Sequence, residues 1–510
     1  MQIILLFAML VLALPPSIWA QPIKIDTVLT NSVDTDSVFV QIPENYSPAN
    51  PPAIVVWWHG LGGSHHDLEI NGFADPINQR GWIAACHVGP NDRHWNTRVS
   101  QEDCRTMLDW IMQHYPFSMD SIYMVGPSMG AAGGFIWHNN NCGISDYLLA
   151  GSAGGSPILD CELRQHQYLD AGHINNAMIA AFGGIPDTSA AVDFEYHRYS
   201  AVHFADTTQS MHFNGLHLAC YATWGTSDTS YLSEWVAYGR PCQNWDTLRR
   251  ADNADTTLVF CSGINGHGGQ VMTPDSILAW LSGFSVNRFP RNLSINADES
   301  DEYYWTRVTM ADTEHTFGRY GAGYDWGERR LDIDLIRNIA AIDIEFAIPW
   351  WGYDSLRGNW INRDSVTVPW TTLRFTDLPT AVIAVQRNGA AMSFAYSSGT
   401  MTMLIPPSGN YTVLFDPLPR INPVPRDVRI EAAYPNPFNS EVTLDIESGI
   451  TIPQEIRLYD ITGRLARTLT VNLQPGTQHI SLSGDGLASG VYFVILAKST
   501  LPPVKIVLLK

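Results

Sequence analysis

A serine flanked by glycines, Gly126-Pro127-Ser128-Met129-Gly130, follows an apolar run at 121–125. A G-x-S-x-G turn at the end of a strand forces its serine into a strained backbone conformation, and the glycines remove side chains that would clash. The hydroxyl then projects at the sheet edge, beside a helix start whose free N–H groups favour an oxyanion. Ala131-Ala132-Gly133-Gly134 are small residues suited to a closely packed helix. A serine hydroxyl needs a base to take its proton, and the base needs an orienting acid. The apolar run 218–224 leads into Gly225-Thr226-Ser227-Asp228, and the run 257–261 leads towards Gly266-His267-Gly268-Gly269. The order Ser128, Asp228, His267 predicts a nucleophile, an orienting acid and a general base for acyl transfer. Each has a plainer reading: a structural turn, a turn-forming aspartate and a loop histidine. The joint match outweighs any one of them.

Upstream, the apolar run 53–58 ends in His59-Gly60-Leu61-Gly62-Gly63. A glycine-rich loop leaves backbone N–H groups pointing into a crevice. The N–H groups of Leu61 and Met129 are the expected oxyanion donors. Trp57, Trp58 and Trp224 are expected in the core. Trp95, in the polar loop 91–98, is the candidate substrate contact. The chemistry requires no metal or organic cofactor. No C-x-x-C pair supports a zinc ribbon. The acidic stretch Asn296 to Glu302 reads as a solvated turn rather than a calcium loop.

These side chains must be held by a frame. Short β-rich runs at 37–42, 53–58, 82–88, 121–125, 147–150, 218–224 and 257–262 alternate with helical or loop stretches. Several are continuously apolar, as strands buried on both faces must be. The pattern predicts an α/β fold with an open, doubly wound, mostly parallel sheet, and a helix over 101–114 before the serine strand. After residue 285 the texture changes to alternating runs at 304–309 and 381–386, with Asn388-Gly389 as a tight-turn signal. The expected organisation is a catalytic domain at 21–285, a small all-β domain at 286–420, a proline-rich linker at 421–429 and a β-sandwich at 430–510.

Hydrophobic residues make up 45% of the chain and charged ones only 16%. That balance excludes a mainly disordered chain. A net charge of −20 argues against nucleic acid as partner, because phosphate binding needs clustered Lys and Arg. Residues 1–20, with an apolar run and Ala20 at the end, read as a signal peptide; no later run is long enough for a membrane helix in the mature chain. Export would place the seven cysteines, all between Cys86 and Cys261, in an oxidising compartment, with at least one left unpaired.

With these motifs in place, residues from about 25 to 285 resemble the α/β-hydrolase superfamily. They are most similar to secreted esterases of the polyhydroxybutyrate-depolymerase and feruloyl-esterase kind, and to prolyl-oligopeptidase-like hydrolases. The resemblance implies an eight-stranded, mostly parallel sheet and hydrolysis through an acyl-enzyme. Two positions depart from it: Pro127 stands where a histidine often precedes the nucleophile, and Ala131 replaces a glycine. The end of the chain carries Tyr434-Pro435-Asn436-Pro437-Phe438-Asn439, Thr462-Gly463-Arg464, Ser489-Gly490-Val491-Tyr492 and a basic Lys510. It resembles the type A C-terminal sorting domain of type IX secretion in Gram-negative bacteria. That resemblance implies passage through the periplasm to the cell surface or medium, with 430–510 read by the secretion machinery. A structural or carbohydrate-contacting β module is the plainer reading. The expected partner is a carboxylic ester, small or polymeric. The rivals are a prolyl-oligopeptidase-like peptidase and a non-catalytic surface binding protein on a hydrolase scaffold.

Overall fold

The structure is a computed structural model. It describes residues 21–227, 235–325, 328–345, 355–364, 367–378, 381–405, 408–416, 428–448, 451–460, 465–497 and 504–509. The expected signal peptide, most of the expected proline linker and Asp228 lie outside the described residues. The chain forms two compact units, one holding the described residues through Phe415 and one holding those from Asp416 onward.

The first unit begins with an eight-stranded sheet in the order β1-β2-β4-β3-β5-β6-β7-β8. Its strands are β1 (Ile23–Thr30), β2 (Thr35–Ile42), β3 (Ile54–Trp58), β4 (Ile83–His87), β5 (Ile122–Pro127), β6 (Gly151–Gly155), β7 (Ala219–Trp224) and β8 (Thr257–Cys261). The contacts β1–β2 and β2–β4 are antiparallel and the rest are parallel. This is the α/β-hydrolase arrangement. The strands β3, β4, β5 and β7 are buried along their whole length, which is why they read as unbroken apolar runs. The helix Arg98–His114 buries Cys104, Met107, Leu108 and Ile111, a stripe at helical spacing against the sheet.

Two elements depart from the sequence expectation. The apolar run 147–150 is not a strand; the strand is the following Gly151-Ser152-Ala153-Gly154-Gly155. Close approach overrides propensity here. A Cβ on Gly154 would lie 2.2 Å from the Ala131 carbonyl oxygen, and one on Gly155 would lie 2.5 Å from that of Gly268. The edge strand β1 has no counterpart among the apolar runs, because it is half exposed and carries alternating polar residues.

From Asn292 to Phe415 the described residues hold strands and no helix, in a six-stranded and a seven-stranded sheet. The tight turn at Asn388-Gly389 joins the hairpin strands Val382–Arg387 and Ala390–Met392. Its two residues have φ of 51° and 81°, as a two-residue hairpin turn requires. The β region and the hydrolase sheet share apolar packing: Cys142, Leu148, Phe194 and Met211 lie in one cluster with Leu293, Tyr304 and Phe317. Polar bonds join them too. Asn214 Nδ2 donates to the carbonyls of Asn139 (2.9 Å) and Asn296 (3.0 Å), and its Oδ1 accepts from Asn296 N–H (2.9 Å). The acidic stretch is solvated only in part: Ser300 and Asp301 are exposed. Asp298 is buried and receives Arg198 Nε at 2.9 Å, while Glu299 pairs with Arg98.

The second unit pairs a three-stranded and a four-stranded antiparallel sheet. Their inward faces form a separate core around Val442, Leu444, Ile456, Leu458, Val494 and Ile506. No helix among the described residues is long and apolar enough to cross a membrane.

One buried chain of hydrogen bonds makes the first unit sensitive to acid. Leu149 N–H donates to His138 Nδ1 (3.4 Å), so His138 Nε2–H donates to the Tyr304 hydroxyl (2.9 Å), which donates to the Asn214 carbonyl (2.9 Å). A proton on Nδ1 would oppose the Leu149 N–H. Burial, with His217 and Arg249 nearby, pushes the His138 pKa down to about 3, since a buried imidazole resists its charged form. The unfolded chain therefore binds a proton first, and stability is lost as pH falls from about 6.5 towards that value, by up to about 1.4 kcal/mol per pH unit. Urea unfolding of wild type and His138→Gln across this range is expected to show a shallower acid slope in the variant.

Candidate active site

Ser128 sits at the turn where β5 meets a helical segment, with φ of 52°. A non-glycine residue in the left-handed region is strained and persists only where its surroundings hold it. The flanking glycines show what does so. A Cβ on Gly126 would lie 2.4 Å from the carbonyl oxygens of Gly130 and Trp58, and one on Gly130 would lie 2.1 Å from that of Trp58. The end of β3 thus presses directly on the serine turn. Met129, Gly130, Ala131 and Ala132 are buried behind it.

His267 lies 139 positions later in sequence, in the loop after β8, and its Nε2 is 2.8 Å from Ser128 Oγ. Several contacts hold this loop. The Thr226 N–H donates to the Ile264 carbonyl at 3.0 Å. A Cβ on Gly225 would meet the Gly266 carbonyl oxygen at 2.0 Å. Gly268, at φ 57°, donates its N–H to Ser156 Oγ at 3.1 Å. The Tyr238 ring lies 5.3 Å from the imidazole between centroids. Asp228 follows the loop of Gly225 in sequence, but lies outside the described residues.

The loop after β3 lies beside the serine turn: a Cβ on Gly60 would be 3.7 Å from Ser128 Cβ. Its shape is fixed by Gly62 N–H to the Asp92 carbonyl (2.8 Å) and Gly63 N–H to the Gly60 carbonyl (2.9 Å). The buried His59 ring lies between the Gly60 carbonyl (Nδ1, 2.7 Å) and the Val88 carbonyl (Nε2, 2.9 Å), and a neutral ring donates its one N–H to one of them. These bonds hold the loop that bears Leu61, whose side chain is exposed. The Met129 N–H belongs to the first turn after the serine, where helical N–H groups have no intrahelical acceptor.

Trp95 differs from expectation. It is 2% exposed, not on the surface, and stands in the core near Phe182. The polar residues around it bend the chain: Trp95 and Asn96 both have positive φ, which turns the indole inward. Its neighbour Asn96 reaches the site instead, donating from Nδ2 to the Met129 carbonyl at 3.0 Å. The tolerance of asparagine for left-handed conformations was the available signal. Ser156, also at positive φ (55°), carried no readable signal. Trp57, Trp58 and Trp224 are buried. All seven cysteines are free thiols, with Cys261 exposed and the others buried. Near Trp58, burial and the neighbouring His59 and His87 hold the His94 pKa well below its ordinary value. His94 accepts from Asn96 N–H through Nδ1 at 3.0 Å.

Residues 432–509 match the model of the secretion-system C-terminal sorting domain. No curated protein sequence matches the chain significantly. Among solved structures, an S-formylglutathione hydrolase from Agrobacterium tumefaciens is similar at 13% identity and a TM-score of 0.39, over 52% of this chain and 97% of that one. The fluorophosphonate-binding serine hydrolase F of Staphylococcus aureus is similar at 14% identity and 0.38, over 51% and 98%. A ferulic acid esterase is similar at 14% identity and 0.35, over 52% and 94%. The first unit has the α/β-hydrolase fold, and residues 432–509 are similar to the secretion-system sorting domain. The strand order and the serine turn after β5 identify the fold.

The tight approach at Gly130 yields a direct check. Gly130→Ala is expected to destabilise the first unit by about 3 kcal/mol or more, because the obstructing atom is backbone and cannot move aside. Urea unfolding followed by tryptophan fluorescence measures it.

Proposed function

We propose that the protein is an exported serine hydrolase that cleaves carboxylic esters through an acyl-enzyme. Ser128 Oγ attacks the ester carbonyl carbon while His267 Nε2 takes its proton. The N–H groups of Leu61 and Met129 receive the developing oxyanion. The tetrahedral intermediate then collapses, and His267 returns the proton to the departing alcohol. Water, deprotonated by the same imidazole, attacks the acyl carbonyl; the second tetrahedral intermediate expels Ser128 Oγ, which takes the proton back from His267 as the acid leaves. Asp228 orients the imidazole and stabilises its charged form.

The observation that carries this reading is the 2.8 Å contact between Ser128 Oγ and His267 Nε2, made by a serine at φ 52°. A structural serine has no need of a strained backbone and a base within proton-transfer reach. The neighbouring loop after β3 is braced by bonds made before any substrate arrives, as an oxyanion site must be.

The proposed route is export by type IX machinery that reads residues 430–510. The separate core of the second unit suits a handle that folds independently of the hydrolase sheet.

These assignments are open to direct test. Wild type is expected to be labelled by a fluorophosphonate and to hydrolyse chromogenic acyl esters. Ser128→Ala should lose the label, and Ser128→Ala and His267→Ala should each lose about 10⁴-fold or more in kcat. Cleavage of peptide anilides without ester cleavage would turn the assignment to a peptidase; labelling that persists in Ser128→Ala would remove it. A chain ending at Asp416 is expected to keep ester hydrolysis and to accumulate in the periplasm of a host with type IX secretion, measured by cell fractionation.

A further inference from the structure

In the segment that follows the glycine loop after β3, two adjacent histidines face one carboxylate. Asp26 lies on the edge strand β1, and His65 and His66 follow the glycine loop after β3. The Nε2 atoms of His66 and His65 stand 3.2 Å and 3.7 Å from the same Asp26 Oδ1. The three ligand atoms lie within 4.8 Å of one another. Tetrahedral ligands around a zinc ion, at about 2.0–2.1 Å each, are separated by roughly 3.3 Å. The two spacings to Asp26 therefore fit a single shared cation.

The surroundings orient these groups. His66 Nδ1 is 3.0 Å from Glu69 Oε2, and Glu69 is paired with Lys24 at 2.6 Å. A carboxylate only accepts, so His66 Nδ1 bears the hydrogen. In the neutral ring Nε2 is then a bare lone pair aimed at a carboxylate oxygen. Two acceptors so close together repel unless a proton or a metal cation stands between them. A histidine that donates its other N–H to a carboxylate is the usual second layer around a bound metal. The backbone is set as well. Ser64 N–H donates to Asp67 Oδ1 (3.0 Å), His66 N–H donates to Ser64 Oγ (3.2 Å) and Asp67 N–H donates to the Ser64 carbonyl (3.1 Å). The His66 ring also lies 5.5 Å from the buried Phe39 ring between centroids.

We propose that Asp26, His65 and His66 form a binding site for a divalent transition-metal cation such as zinc. Two imidazoles and one carboxylate suit zinc. The exposure of His66 and Asp26 leaves the fourth position to water. The bound cation ties β1 to the loop that begins at His59. The site is independent of the serine chemistry and stands whether or not the ester reading does.

The test is calorimetric titration of the chelator-treated mature chain with zinc chloride at about pH 7.5, beside thermal melts. Wild type is expected to bind zinc saturably and to melt at a higher temperature with it. Asp26→Asn and His66→Ala should lose one equivalent of binding and the associated thermal shift. Glu69→Gln, which removes only the orienting carboxylate, should weaken binding by about 10- to 100-fold. Glu162→Gln, in a second cluster with His197 and His203, should leave this equivalent in place. Three outcomes would overturn the proposal: no saturable uptake, uptake unchanged in Asp26→Asn and His66→Ala, or uptake abolished by Glu162→Gln. Circular dichroism of each variant separates loss of the site from loss of the fold.

Discussion

The site depends on one steric constraint, the approach of the β3 end to the turn after β5. The Trp58 carbonyl occupies the space where side chains at 126 and 130 would be. Only glycines permit that approach, and it leaves Ser128 in a left-handed conformation with its hydroxyl free of the sheet. The same closeness sets the loop after β3 beside the serine. Had the two strands been separated by one more, the motif would have been an ordinary turn.

A second layer of contacts fixes this arrangement. His59 lies against two carbonyls of the loop after β3 and its surroundings, Asn96 holds the Met129 carbonyl, and Ser156 holds the backbone after His267. None of these side chains is reactive in the proposed chemistry. They decide whether the reacting atoms stand within bonding reach, and a displacement of about 1 Å is enough to cost a large factor in rate. The β region that follows is joined to the hydrolase sheet by shared apolar packing and by the Asn214–Asn296 and His138–Tyr304 bonds. It extends the scaffold rather than hanging from it.

Much of the sheet was legible because β3, β4, β5 and β7 are buried on both faces and must be apolar throughout. The strand β6 was not, since its neighbours come so close that only glycine, serine and alanine fit, and such residues carry no strand signal. Trp95 misled for a related reason. Its polar neighbours suggested surface, but positive φ at Trp95 and Asn96 turns the indole inward and the amide towards Met129. Likewise the acidic run near Asp298 looked solvated until Arg198 and Arg98, a hundred or more positions earlier, were seen to meet it.

From the chain alone come the residue types and their order: a serine between glycines, a glycine-bearing loop before it, a histidine loop after it and a β-rich tail. Those follow from local rules of turn chemistry and burial, which act over a few neighbours. Tertiary structure alone decided that Ser128 Oγ and His267 Nε2 stand 2.8 Å apart, that Asn96 rather than Trp95 faces the site, and that two histidines share Asp26. Distances between residues remote in sequence are set by how whole strands stack, and no local pattern encodes them.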